Sequence, residues 1–201
     1  MALINLRTKI IQVKIVYYGP GQGGKTTNLE YIYHRFMEHA KTELVSIKTD
    51  GDRTIFFDFL PMDIGKVKGH DVKIQLYTVP GQVMYNATRR LVLKGVDGVV
   101  FVADSHVERK EKNIESLQNL EENLMMQKID INNIPLVIQY NKRDLENQES
   151  SLLSFERLES DLNTKFKAPT FMASAIKGEN VVETLKKVTS ITMTRLIAKL
   201  R

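Results

Sequence analysis

The apolar positions of this chain fall into two kinds of pattern. Residues 10–18 (IIQVKIVYY), 55–61 (IFFDFLP), 71–77 (DVKIQLY), 98–104 (GVVFVAD) and 134–140 (IPLVIQY) are short and rich in β-branched and aromatic residues, either alternating with polar ones or nearly unbroken. They predict strands, the unbroken runs being covered on both faces. Residues 28–36, 114–126, 152–162 and 181–200 carry apolar side chains at helical spacing, which predicts helices whose apolar stripes are core faces. Pro61 near a strand end, and Gly65 to Gly69 beyond it, suggest an antiparallel hairpin at a sheet edge. The polar residues 41–52, leading into the turn-rich 49–54, read as a mobile loop. With a last strand ending before Ala173, the order of elements predicts an α/β fold. Its sheet is mostly parallel and six-stranded, with one antiparallel edge strand and helices on both faces.

Length and charge narrow the picture without choosing a chemistry. The 201 residues suit one domain spanning 1–201, and neither a linker nor a repeat interrupts them. The net charge of +5 is spread among acids along the chain, which reads as solvated faces and argues against a nucleic-acid partner. Cysteine is absent, so disulfides, Cys-based zinc sites and lipidation of cysteine are excluded, and with them a direct membrane anchor of that kind. The first residues do not read as a signal peptide, and no apolar run approaches the roughly 20 residues of a membrane span. The expected location is cytoplasmic.

Chemistry enters at residues 17–27, YYGPGQGGKTT, where Gly19, Gly24, Lys25 and Thr26 fill the pattern G-x-x-x-x-G-K-[ST] between a predicted strand and a predicted helix. In that context the glycines let the backbone wrap an anion, and the helix start aims free N–H groups at it. Gly21, Gln22, Gly23 and Thr27 complete the loop. Lys25 is expected at the β and γ phosphates of a nucleotide, and the Thr26 hydroxyl at Mg²⁺. In a parallel sheet ligands bind beyond the carboxyl ends of the strands, and three further post-strand loops carry polar motifs: Thr78-Val79-Pro80-Gly81-Gln82, Asn141-Lys142-Arg143-Asp144 and Ser174-Ala175-Ile176-Lys177.

In this order the four loops resemble those of the Ras superfamily of small GTPases over the whole chain, which implies a P-loop, Ras-like G domain. The similarity is closer to the MglA family of bacterial gliding-motility GTPases, carried by KIVYYGPG at 14–21, Arg53-Thr54, FFDFLP at 56–61, YTVPGQV at 77–83 and KGVDG at 94–98. Gln22-Gly23 departs from the bulkier or hydroxylic second residue expected in the phosphate loop. The cofactors implied are GTP or GDP with Mg²⁺. A carboxylate accepts both N1–H and N2–H of guanine, and the Asn-Lys-x-Asp motif places Asp144 for this. The resemblance gives Asn141 a role in holding loops together and Lys142 one in covering the base; Ser174 and Ala175 match the next guanine motif, with the Ala175 N–H expected at guanine O6. Ile176 stands where a lysine is common.

For hydrolysis, the resemblance makes Gln82 the residue that orients water, Gly81 N–H a contact of the γ phosphate, and Thr54 its sensor and a Mg²⁺ ligand. It makes Arg53 an intrinsic arginine finger, against the plainer reading of a solvated loop arginine. Thr78 stands where most GTPases have an Asp for the metal's water shell. Asp58, among Phe56, Phe57 and Phe59, either replaces that acid through water or is an edge-strand charge facing solvent. Two functional classes stay open: a GTP-hydrolysing switch, slow alone and stimulated by a partner, and a hydrolysis-deficient GTP-binding scaffold. The resemblance further implies a homodimeric roadblock-fold activator, polarity or motility effectors, a monomer when alone, and recruitment to a cell pole in the GTP state.

Overall fold

The computed structural model describes residues 3–5, 8–36, 44–47, 57–146 and 151–199. Among these residues eight strands form one sheet: β1 Leu3–Asn5, β2 Ile10–Tyr18, β3 Val45–Ile47, β4 Phe57–Val67, β5 His70–Thr78, β6 Gly98–Asp104, β7 Leu136–Asn141 and β8 Thr170–Met172. Their order is β3-β4-β5-β2-β6-β7-β8, with β1 pairing antiparallel to β2 off that path. The six predicted strands are its body: β5, β2, β6, β7 and β8 are parallel, and β4 is antiparallel to β5. The helices are α1 Lys25–Arg35, α2 Asn86–Leu93, α3 Lys110–Met126, α4 Phe155–Leu162 and α5 Val181–Lys199.

Alternation along β2 explains the two-sided core. Val16 and Tyr18 join one apolar cluster with α2, α3 and α4, supplied by Leu93, Leu120, Leu124 and Leu158. Ile11, Val13, Ile15 and Tyr17 join the other with α1 and α5, supplied by Leu29, Ile32, Val181 and Val188. A period of two therefore buries both faces of a central strand. Every residue of β6 and β7 is buried, as their unbroken apolar runs require.

Two expectations are corrected, and the structure adds a helix. The loop read over 41–52 contains β3, which pairs with β4 from Val45↔Phe59 to Ile47↔Phe57 and takes the edge from it; apart from Leu44, the rest of that loop falls outside the described residues. Pro61 lies inside β4, opposite Gln75, beyond the last residue that β3 pairs. Its missing N–H therefore costs no ladder bond to β3. The hairpin turn is Lys68-Gly69, both left-handed at φ 49° and 77°, the geometry of a two-residue turn matched to the twist of its strands. Helix α2 has no counterpart in the predicted elements. At eight residues it gives two turns, too few for a clear period.

Candidate functional site

The phosphate loop fills the gap between the end of β2 at Tyr18 and the start of α1 at Lys25. Gly24, at φ 96°, closes it, and a Cβ there would lie 2.1 Å from Asn141 Nδ2. Both the left-handed backbone and the contact demand glycine. Gln22 is also left-handed, at φ 62°, a conformation that costs a side chain roughly 1–2 kcal/mol. Helix α1 starts with no side-chain cap and no acid in its first turn. Its first N–H groups therefore lack intrahelical acceptors, and the positive dipole end is uncompensated. An anion satisfies both.

Lys25 curls back over this loop, with Nζ donating to Gly19 O at 3.1 Å and Pro20 O at 2.6 Å, and is only 6% exposed. Burial, then the positive charge of Arg89, opposed by Asp58 and reinforced by Arg109, pushes its pKa down to about 7. A buried lysine held by carbonyls beside two arginines fits the phosphates of a nucleotide, which supply the missing negative charge.

Asp58 lies on β4 and is 8% exposed. Its Oδ2 accepts from Thr26 Oγ1 at 2.6 Å and from Thr78 Oγ1 at 2.8 Å, while its own N–H donates to Thr78 Oγ1 at 2.8 Å. The edge-strand reading, a charge facing solvent, is thereby removed. With its proton given to Asp58, the Thr26 hydroxyl keeps its lone pairs for a cation, and a carboxylate lies within one hydroxyl of it. This donor set is oxygen only and suits Mg²⁺. Arg53 and Thr54 lie outside the described residues. Gln82 is exposed beside Gly81, and Gly81 abuts the phosphate loop so closely that a Cβ on it would lie 2.2 Å from Gly21 Cα.

The third and fourth motifs meet at Asn141, at the end of β7. Its Nδ2 donates to Gly23 O at 2.9 Å and its Oδ1 accepts from Ala175 N at 2.8 Å, so one buried amide joins the phosphate loop to the loop after β8. The Ala175 N–H is thus held by Asn141, and any ligand oxygen brought to it must displace or share that bond. Asp144 Oδ1 accepts from Ser174 Oγ at 2.6 Å. Lys142, left-handed at φ 71°, sends Nζ to Asp104 Oδ2 at 2.8 Å, which leaves its methylene stem to cover a flat base. Ile176 is 75% exposed next to this loop.

A profile of the ADP-ribosylation factor family matches residues 2–192. Over 196 residues, 98% of this chain and 98% of the relative, the chain is 52% identical to the mutual gliding-motility protein MglA of Myxococcus xanthus (strain DK1622). The chain belongs to the MglA family of small GTPases. It is also 26% identical to the Ras-related protein Rab-7a of Dictyostelium discoideum over 90% of this chain and 82% of the relative, and 25% identical to the Ras-related protein RABG3c of Arabidopsis thaliana over 85% and 77%.

Around the motifs, this MglA-family GTPase has a ring of residues that the motifs do not name. Asp104, 1% exposed at the end of β6, holds Lys142 and lies 3.5 Å from Arg109 Nε, and Arg109 donates through Nη2 to Gly21 O. One carboxylate therefore ties the guanine motif to the phosphate loop. Its position at the carboxyl end of a central parallel strand was a signal available in the sequence. Arg89, with Tyr18, Asn86, Asn119 and Asn123, forms a buried network with no such signal, because an arginine on a short helix ordinarily faces water. Two cavities of about 1020 and 730 Å³ contain none of these residues: one lies at the opposite ends of β6 and β7, the other against the β4–β5 hairpin and α5.

Proposed function

We propose that this small GTPase is a switch that binds GTP and GDP with Mg²⁺ and hydrolyses GTP to GDP and phosphate, in the control of gliding motility and cell polarity. The observation that carries the reading is the convergence on Asn141, which brings a phosphate-binding helix start and a base-binding carboxylate to one end of the sheet. Phosphates lie against the loop 19–27 and Lys25; guanine lies on Asp144 between Lys142 and the Ser174-Ala175 loop. Thr26 directly and Asp58 through water would hold Mg²⁺, with Thr54 as a further ligand, and the metal would neutralise phosphate charge. Gln82 orients the attacking water, Gly81 N–H binds the γ phosphate, and Arg53 meets the charge that develops in the transition state. Asp58 on Thr26 also favours the hydrolase over a hydrolysis-deficient scaffold, since the acid that position 78 lacks is supplied from β4.

With the arginine in cis, an activating partner need only hold Arg53 and Gln82 in the productive arrangement. The partner we propose is a homodimer of the roadblock fold. The GTPase itself acts as a cytoplasmic monomer, recruited with motility effectors to a cell pole when GTP-bound. Calorimetry and phosphate release test the reading together. GTP and GDP should bind far more tightly than ATP, and Arg53→Ala and Gln82→Ala should keep GTP binding while losing partner-stimulated phosphate release. Equal affinity for GTP and ATP would end the guanine assignment, and stimulation surviving in Arg53→Ala would move the finger to the partner.

A further inference from the structure

Arg89 is the largest fully buried side chain of the described residues, at 0% exposure, and among those residues no carboxylate forms an ion pair with it. Its guanidinium is spent on backbone instead. Nε donates to Pro80 O at 2.8 Å and Nη2 to Gly81 O at 2.6 Å, while Nη1 donates to Asn119 Oδ1 at 2.7 Å and lies 3.4 Å from Tyr18 OH. Tyr18 offers its ring face at 5.0 Å and donates its own hydroxyl to Asn119 Oδ1 at 2.6 Å. Asn123 completes the cage, its Nδ2 reaching Tyr18 OH at 3.1 Å and Asn86 Oδ1 at 2.7 Å.

A buried charge held by carbonyls, an amide, a hydroxyl and a ring is a poor way to fill a core, because desolvating a guanidinium costs more than packing an apolar side chain of similar volume. What the arrangement gives is orientation. Nε and Nη2 lie on one edge of a rigid planar fork, and here that edge takes the carbonyls of two successive residues. In a trans peptide the N–H points opposite the C=O across the plane. Fixing Pro80 O toward α2 therefore turns the Gly81 N–H away from α2, and fixing Gly81 O does the same for the Gln82 N–H. Gly81 itself abuts Gly21.

We propose that Arg89 is the positioning residue for the γ phosphate, its fork on the Pro80 and Gly81 carbonyls presenting the Gly81 N–H and seating Gln82. The proposal rests on the reading above that GTP occupies the phosphate loop. Arg89 also brings its charge to the Pro80 and Gly81 carbonyls, beside the phosphate loop that Gly81 abuts, so it adds positive potential where phosphates bind. A lysine retains the charge and loses the fork, so Arg89→Lys separates the two effects.

The test compares GDP with a non-hydrolysable GTP analogue, both with Mg²⁺, by calorimetry on the full chain, alongside thermal unfolding. GDP has no γ phosphate and makes no demand on Gly81. In Arg89→Lys the GDP dissociation constant should stay within about threefold of wild type, while that of the analogue rises about tenfold or more, the scale of a lost charge-assisted hydrogen bond. A merely structural arginine would weaken both nucleotides alike, and that outcome, or an unchanged ratio, overturns the proposal. If Arg89→Lys does not fold, Asn119→Ala takes its place: it removes the acceptor that steadies Nη1 and leaves the fork, so the ratio should shift in the same direction by about threefold, and an unshifted ratio overturns the proposal. Failure of the wild type to bind guanine nucleotides would overturn the GTP reading itself, before any variant is made.

Discussion

In the linear sequence Asp58 sits between Phe57 and Phe59, and nothing in that neighbourhood says whether it turns inward or outward. The fold decides, because β4 pairs with β5 so that Asp58 reaches both Thr78 and Thr26. A carboxylate so placed can offer charge to a metal's water shell, whereas the Thr78 hydroxyl can offer only a dipole. Asp58→Ala should therefore raise the Mg²⁺ concentration for half-maximal nucleotide binding by about tenfold, and Thr78→Ala by only a few-fold; equal effects in a Mg²⁺ titration would remove Asp58 from the site. Lys25 yields a prediction in pH. Its folded pKa, about 7, lies below the ordinary 10.5, so between those values the unfolded chain holds a proton that the nucleotide-free fold does not. Stability of that form should rise with pH across this window, since the unfolded state binds more protons there. Phosphates raise the lysine's pKa again, so GDP binding at about pH 8.5 should take up a proton. Calorimetry in buffers of different ionisation enthalpy measures that uptake directly, and a binding enthalpy independent of buffer would contradict it.

At the scale of elements, what was legible depended on whether a contact is local in sequence. The strands β2, β6 and β7 and the helices α3 and α5 follow from patterns long enough to show a period, and the phosphate loop follows because its chemistry is packed into adjacent residues. Helix α2 was missed. It has two turns, and its central residue, Arg89, is polar in type and buried in fact. Its apolar face therefore carries the wrong kind of side chain for any hydrophobic count. Strand β3 was missed for a related reason: three residues in a polar stretch become a strand only because β4 offers an edge. Asp104, Arg109, Asn119 and Asn123 belong to the site's support through partners far away in sequence, as with the separation of 101 positions from Tyr18 to Asn119. Motifs report the atoms that touch a ligand, and long-range hydrogen bonds that hold those atoms leave no regular trace.

Across the whole molecule, the site is a set of loops at one end of the sheet, joined to one another by hydrogen bonds between residues far apart in the chain. Asn141 is the bond common to the set, 2% exposed and joined to both Gly23 O and Ala175 N. Replacing it with alanine strands a buried carbonyl and a buried N–H, each worth about 1–3 kcal/mol when unpaired. Asn141→Ala should therefore lose about 3 kcal/mol in the nucleotide-free protein. Asp144 differs. Its described bond is to Ser174 Oγ, so Asp144→Ala should cost about 1 kcal/mol or less without nucleotide. With GDP present the comparison changes, because a ligand that binds only the folded state stabilises by RT ln(1 + [L]/Kd), about 4 kcal/mol at a thousandfold excess over Kd. Asp144→Ala leaves two guanine donors unpaired, so it should forfeit most of that gain while its nucleotide-free melting stays near wild type. Asn141→Ala should lose on both counts, since it loosens the phosphate loop and the base loop together. Thermal unfolding of the three proteins with and without GDP and Mg²⁺ gives all six numbers. If Asn141→Ala melts like wild type without nucleotide, the loops are held by something other than this amide, and the coupling between phosphate and base sites must be sought in Asp104 and Arg109 instead.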